Sequence, residues 1–171
     1  CLYTGIRIGE LCALRWENIN LDRKMMTINR TMYRVIDSNG THKTKIVFSP
    51  PKSATSERDI PIAEFLVERL RKIQKEEGFV INNNGKYVEP AVYRRRYKRL
   101  LELADIDYIT YHAIRHTFAV RALELGVDVK TLSELLGHSS VSTTLNYYGH
   151  SLPEHKRNQI ELIGSLFSQS K

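Results

Sequence analysis

Apolar residues recur with two different periods in this chain, and the switch between them divides it. Residues 1–22 read as helical, centred on Arg7–Leu14. From about Lys24 to Ile62 the helical period is lost. MMTINRTMYRVI and THKTKIVF are rich in β-branched and aromatic residues, and DSNG between them is a hairpin-turn signal. PPK interrupts, and ERDIPI reads as a short third strand. From Ala63 on, helical spacing returns. AEFLVERLRKIQKEEG carries apolar residues at that spacing and stops at Gly78, and Pro90 opens a helix to about Ala104. Thr110 is placed to cap a helix over residues 111–125 that Gly126 stops. Asp128 is placed to cap a short helix ending at Gly137, and Ser140 one ending near Gly149. Pro153 opens a last helix to about Phe167. The pattern predicts an α+β fold. It is a mostly helical domain spanning residues 1–171, with a small three-stranded antiparallel sheet near the N-terminus and a helical tail over about 153–168.

Composition narrows the class. A chain of 171 residues has room for one domain with a sizeable core. The longest apolar runs are a few residues, too short for a membrane span or a signal peptide, so no membrane partner is expected. Cys1 and Cys12 make no disulfide framework, and a reducing cytoplasm is the default setting. LYTG at the start reads as the end of a helix and a turn, as in a piece of a longer protein. The net charge of +7 changes the picture most, because it suggests a polyanion partner, with nucleic acid first.

Candidate chemistry is spread along the chain. His112 and Arg115 stand three apart on one helix and share a face, beside an apolar stripe of Ile114, Phe118, Ala122 and Leu125. Imidazole and guanidinium together suit an anionic phosphate. An ordinary polar surface helix is the simpler reading of the pair alone. In LLGHSS, Gly137 turns the chain off a helix and throws out His138. His112, His116 and His138 have no Cys or carboxylate at ligand spacing, so no metal is expected. Arg7 and Glu10 share a face in TGIRIGEL, where a surface ion pair is the plain alternative. Lys52 sits at a strand break, where a solvated loop lysine is the plain alternative. Together these groups could surround a phosphodiester with fixed donors and stabilise its transition state without metal.

TGIRIGEL, PKSATSERDIPI, YHAIRHTF and LGHSS followed by TTLNYYGH resemble, in order and over nearly the whole chain, the boxes of the tyrosine recombinase or phage-type integrase family. That resemblance implies the catalytic domain of a site-specific DNA recombinase, without the family's separate N-terminal DNA-binding domain. It also implies double-stranded DNA as substrate, a homo-oligomer, a tetramer on DNA, and no cofactor. A tyrosine would attack the scissile phosphate, giving a 3′-phosphotyrosyl link that a partner 5′-hydroxyl reseals. Arg7 and Arg115 would hold the non-bridging oxygens, and Lys52 would protonate the leaving oxygen. His112 would assist proton transfer from the phenol, His138 would donate to the phosphate, and Glu10 would orient Arg7. A type IB topoisomerase relative or a non-catalytic helix-turn-helix module are the alternatives.

Tyr147 and Tyr148 lie about 100° apart around a helix, so they cannot enter one site in one pose. Val141, Leu145 and Tyr148 share a face, and the trailing His150 matches the family's Tyr-x-His ending. Both favour Tyr148 as nucleophile, with Tyr147 as the alternative. DNA contacts are expected from Arg94, Arg95, Arg96, Lys98 and Arg99 in YRRRYKRL, and from Arg30, Arg34, Lys43 and Lys45 on the hairpin. The tail PEHKRNQIELIGSLF carries Ile160, Ile163 and Phe167 at helical spacing; packing in cis is one reading, and docking on a neighbouring subunit is what the family resemblance implies.

Overall fold

The computed structural model describes residues 1–37, 43–50 and 57–148, with the backbone alone at Tyr148, and residues 157, 160, 161, 164 and 165 of the tail. Helix α1 (Ile8–Ala13) leads through a 3-10 turn (Trp16–Asn18) into β1 (Ile19–Asn20) and β2 (Met25–Ile28). Strands β3 (Thr31–Ile36), β4 (Thr44–Ser49) and β5 (Arg58–Pro61) follow, then α2 (Glu64–Arg71). A short hairpin, β6 (Asn82–Asn83) and β7 (Lys86–Tyr87), precedes α3 (Pro90–Leu103), α4 (Tyr111–Glu124), α5 (Val129–Leu136) and α6 (Val141–Tyr148).

The α+β class and the three-stranded antiparallel sheet are both there, with a different membership. The sheet runs β1-β2-β5, while β3 and β4 form their own hairpin. The chain from Met25 to Ile36 is two strands, because Asn29 and Arg30 turn it from one sheet to the other. Of the expected DSNG turn, Asp37 is described and its N–H donates to Lys43 O at 3.1 Å, while residues 38–40 lie outside the described residues. In the sheet, Met26 faces Ile60 and Ile28 faces Arg58. The inward residues join Ile6, Leu14, Trp16 and Val67 in the main core. A second cluster under α4 and α5 contains Ala119, Leu123, Leu132 and Leu136.

Helix α1 is shorter than the helical pattern over residues 1–22 predicts. The main chain of residues 14–16 is taken by a distant partner: Trp16 N–H donates to Gly78 O at 2.9 Å and Val80 N–H to Leu14 O at 3.0 Å. Helix α2 ends at Arg71 rather than at Gly78, because its apolar contacts end with Leu70 and residues 71–77 are all exposed. The three later helices begin where their caps predict. Thr110 Oγ1 accepts from Ala113 N at 3.3 Å, Asp128 Oδ1 from Thr131 N at 2.9 Å, and Ser140 Oγ from Ser142 N at 3.1 Å. The five described tail residues are helical, and the remainder of the helix expected from Pro153 lies outside the described residues. Among the described residues no helix is long and apolar enough to cross a membrane.

Helix α1 is pressed against β3 through Gly9. A Cβ there would meet the Met32 carbonyl oxygen and Thr31 Oγ1, both at 2.7 Å, and a main-chain oxygen cannot swing away. Gly9→Ala is therefore expected to lower unfolding free energy by about 1–3 kcal/mol, as overpacking does. Urea denaturation measures this, and an unchanged midpoint would mean that α1 and β3 separate freely.

Candidate active site

Arg115 is the centre of the site. It lies on α4, yet it is 2% exposed. Its Nη1 donates to Gly5 O at 2.6 Å, and its Nη2 to Leu136 O at 2.7 Å and to His138 Nε2 at 3.0 Å. The buried residues of α4 are Tyr111, Arg115, Ala119, Ala122 and Leu123, so Arg115 sits within the inward stripe. The expected stripe is thus rotated: Leu125 is 85% exposed, and Ile114 and Phe118 are half-buried. Two left-handed glycines shape the carbonyls that receive the guanidinium. Gly5 has φ +63°, and a Cβ there would meet Phe118 at 2.6 Å. Gly137, also at φ +63°, ends α5 and puts Arg58 where a Cβ would stand.

Arg7 and Glu10 are more than a surface pair. Glu10 is 5% exposed, and its carboxylate is shared. Arg7 Nη1 donates to Oε1 at 2.9 Å and Arg7 N–H to Oε2 at 2.8 Å. Arg58 donates to Oε2 at 2.9 Å and Oε1 at 3.2 Å, and its Nε reaches Leu135 O at 2.7 Å. Arg7 Nη2 also reaches Gly137 O at 3.0 Å. Burial pushes the Glu10 carboxyl up, but the guanidiniums of Arg58 and Arg7 outweigh it and hold the group below its usual value. Glu10 is therefore an anion at neutral pH, as its expected role requires.

Arg58 is absent from the expected residues, although its signal is in the sequence. In ERDIPI it holds the same strand parity as Ile60 and Ile62, which are buried, so it points inward with them. Thr144 is the other residue missed. It is 0% exposed, and its Oγ1 lies 2.8 Å from His138 Nδ1. A guanidinium has only donors, so His138 Nε2 must accept from Arg115, and the ring proton sits on Nδ1 facing Thr144. Both ring nitrogens of His138 are thus engaged by Arg115 and Thr144. Burial lowers the His138 pKa from 6.5 to about 4, helped by Arg115, Arg7 and Arg58 and opposed by Glu10. The ring is neutral at physiological pH.

Arg7, His112 and Arg115 border one cleft of about 530 Å³, with Arg94 of α3 on its rim. None of its described lining residues is acidic. Tyr111 also lines it, but burial and the neighbouring Tyr93 raise its pKa, so it stays a phenol. His112 is exposed in the first turn of α4. Lys52 and His150 lie outside the described residues. So does the Tyr148 side chain, although its position ends α6. The inward face of α6 is centred on Thr144 rather than on Val141 and Leu145, which are 38% and 47% exposed. Position 148 is four residues on from Thr144 and falls about 40° from it around the helix, whereas position 147 falls about 60° the other way. Tyr147 is 68% exposed.

The basic residues divide into paired and rim groups. Arg94, Arg95, Arg96, Lys98 and Arg99 are all exposed on α3, and Lys98 stands 3.8 Å from Glu102. On the hairpin, Lys45 pairs with Asp37 at 3.1 Å and Arg34 with Glu89 at 2.6 Å, while Lys43 is exposed. Arg30 is exposed and lines a hollow with Pro50 and Glu57, which flank residues 51–56. Among the described residues no group of three His, Cys, Asp or Glu is placed to hold a metal ion.

The chain matches known proteins over almost its whole length. The phage integrase family profile covers residues 1–155. A XerC-like tyrosine recombinase of Caldanaerobacter subterraneus is 36% identical, covering 96% of this chain and 47% of the relative. The ICEBs1 integrase of Bacillus subtilis is 26% identical, covering 95% of this chain and 46% of its own length. The chain thus spans about half the length of the curated relatives it matches. Among solved structures, the Tn1549 transposon integrase in complex with circular intermediate DNA superposes with a TM-score of 0.73 at 25% identity, covering 95% of this chain and 57% of that one. Sequence, fold and the arginine-centred cleft agree, and the chain belongs to the phage integrase family.

Proposed function

We propose that the chain is the catalytic domain of a tyrosine site-specific recombinase, an integrase. It cuts and rejoins double-stranded DNA through a covalent 3′-phosphotyrosyl intermediate, without metal or ATP. What supports this reading most is the fixed placing of Arg7 and Arg115 on one cleft whose described lining has no acidic side chain. Such a cleft favours an anion, and its donors are held by carbonyls and a buried carboxylate before any ligand arrives.

The chemistry follows from those placings. A phenol with an ordinary pKa near 10 needs nearby cations or a base to attack at neutral pH. Arg7 and Arg115 take the non-bridging oxygens, and exposed His112 assists the phenol proton. The tyrosine oxygen bonds to phosphorus as the bond to the 5′ oxygen breaks, and Lys52 supplies that oxygen with a proton. Reversal from a partner strand's 5′-hydroxyl reseals the backbone and frees the tyrosine. Tyr148 is the nucleophile, in keeping with its position nearer the Thr144 face. Neutral His138 acts through Arg115 as an acceptor. A plain helix-turn-helix module would leave the Arg7–Glu10–Arg58 cluster without a purpose. The rim cations of α3, with Arg30 and the hairpin, track the duplex backbone. Assembly as a tetramer on DNA, with the tail over about 153–168 on a neighbouring subunit, belongs to the same proposal. A cytoplasmic setting fits the free thiols of Cys1 and Cys12.

The test begins with a duplex that the protein selects from a random-sequence pool, nicked to trap cleavage. Wild-type protein should leave a covalent DNA band on a denaturing gel. Tyr148→Phe should abolish the band and Tyr147→Phe retain it; the reverse result would move the nucleophile to Tyr147, and no band from the wild type would sink the proposal. Affinity for that duplex should fall by roughly a thousandfold or more between 50 and 200 mM salt if about six phosphates are contacted, and a flat response would remove the basic channel. His138 also sets a pH window. Its folded pKa lies below the unfolded value, so the unfolded chain gains a proton first, and stability should drop as pH falls from 6.5 towards about 4. Thermal melts should show a shallower drop for His138→Gln, and parallel curves would contradict a neutral, half-buried ring.

A further inference from the structure

Helix α6 carries both candidate nucleophiles, and one polar residue anchors it. Of its described side chains, Thr144 is the only fully buried one, while Val141, Leu145 and Tyr147 are exposed. An amphipathic helix is normally seated by an apolar stripe. Here the anchor bears a hydroxyl, and that hydroxyl lies 2.8 Å from His138 Nδ1. The other ring nitrogen of His138 is 3.0 Å from Arg115 Nη2. The same guanidinium donates to Gly5 O and Leu136 O. Each bond fixes the direction of the next: arginine can only donate, so Nε2 accepts, so Nδ1 carries the proton, so the Thr144 oxygen accepts.

We propose that Thr144 is a positioning residue whose hydroxyl holds His138 in the Nδ1–H tautomer and sets the register of the tyrosine-bearing helix against Arg115. The inference rests on the recombinase reading for its consequence in catalysis, while the tautomer it assigns stands without DNA. Positions 147 and 148 lie within about one helical turn of Thr144, so a shift at the anchor is passed directly to the tyrosines. Valine has the same outline and would fill the same space. It would leave the Nδ1–H of the half-buried ring facing a methyl group, a donor left unmet. A switch of tautomer would relieve that only by turning an N–H onto the guanidinium. Packing alone therefore does not explain a threonine at this position, whereas the hydrogen bond does.

Two variants, Thr144→Val and Thr144→Ser, separate hydroxyl from shape. Nitrogen-15 NMR of the histidine rings, at neutral pH and without DNA, should show His138 as the Nδ1–H tautomer in wild type and Thr144→Ser. Thr144→Val should change the tautomer or mix the two forms. On the nicked, pool-selected duplex, Thr144→Val should slow formation of the covalent band about tenfold, the rate equivalent of one lost hydrogen bond, at unchanged DNA affinity. Thr144→Ser should stay near the wild-type rate. Circular dichroism checks that both variants fold, and if valine prevents folding, the serine variant and the wild-type tautomer still decide. An Nε2–H tautomer in the wild type overturns the proposal, as does a valine variant equal to wild type in ring signal and rate. Equal impairment of valine and serine also overturns it, because shape would then be the cause. A wild type that forms no covalent band at all counts against the recombinase reading, and the NMR result still judges Thr144.

Discussion

A guanidinium with almost no solvent exposure is costly unless its donors are met, and the way Arg115 meets them determines the architecture around it. Gly5 O comes from the turn before α1, Leu136 O from the end of α5, and the imidazole of His138 from the turn that follows. Those described partners are neutral acceptors, so the cation is held in place without a carboxylate among them. Arg7 is treated differently. It leans on Glu10, which Arg58 also grips, and the two arginines reach the Gly137 carbonyl and the helix end beside it. The two arginines facing the cleft are thereby tied to one structural point. Breaking that carboxylate–guanidinium bond would leave a buried charge alone, which costs far more than the pair contributes.

The sheet and the helices serve this arrangement from opposite sides. Strand β5 brings Arg58 inward in register with Ile60, opposite β2. Helix α4 carries Arg115 in the middle of its buried face, where an apolar residue would normally stand. A polar group placed there needs its donors met, and the carbonyls of Gly5 and Leu136, at the left-handed turns of Gly5 and Gly137, accept from it. Tyr93, Tyr97 and Tyr111 back the cleft with edge-to-face contacts at 5.5–5.7 Å, closing the gap between α3 and α4. The exposed cations of α3 then face outward from a helix with no fully buried residue.

Local chemistry was legible in the sequence and distant pairing was not. Thr110, Asp128 and Gly137 mark helix ends through bonds spanning a few residues, so α4 and α5 could be read with good boundaries. Arg7, Glu10, His112, Arg115 and His138 were legible from their motifs, and the fold gathers all five. The end of α1 was not, because Leu14 and Trp16 bond to residues more than sixty positions away. Sheet membership failed for the same reason: β1, hidden in an apparently helical stretch, takes the place expected for THKTKIVF, residues 41–48. Arg58 and Thr144 were missed because a hydrophobic pattern scores polar residues as outward. Their burial depends on partners that only the folded chain supplies.

The bonds that build the cleft span very long stretches of chain: Arg7 to Gly137 across 130 residues, and Arg115 to Gly5 across 110. Closing loops of that length costs conformational entropy that the rest of the fold must offset. Local helices and hairpins alone therefore make no anion cleft. The two ends of the sequence act as halves of a clasp, and closing it is the same event as making the site.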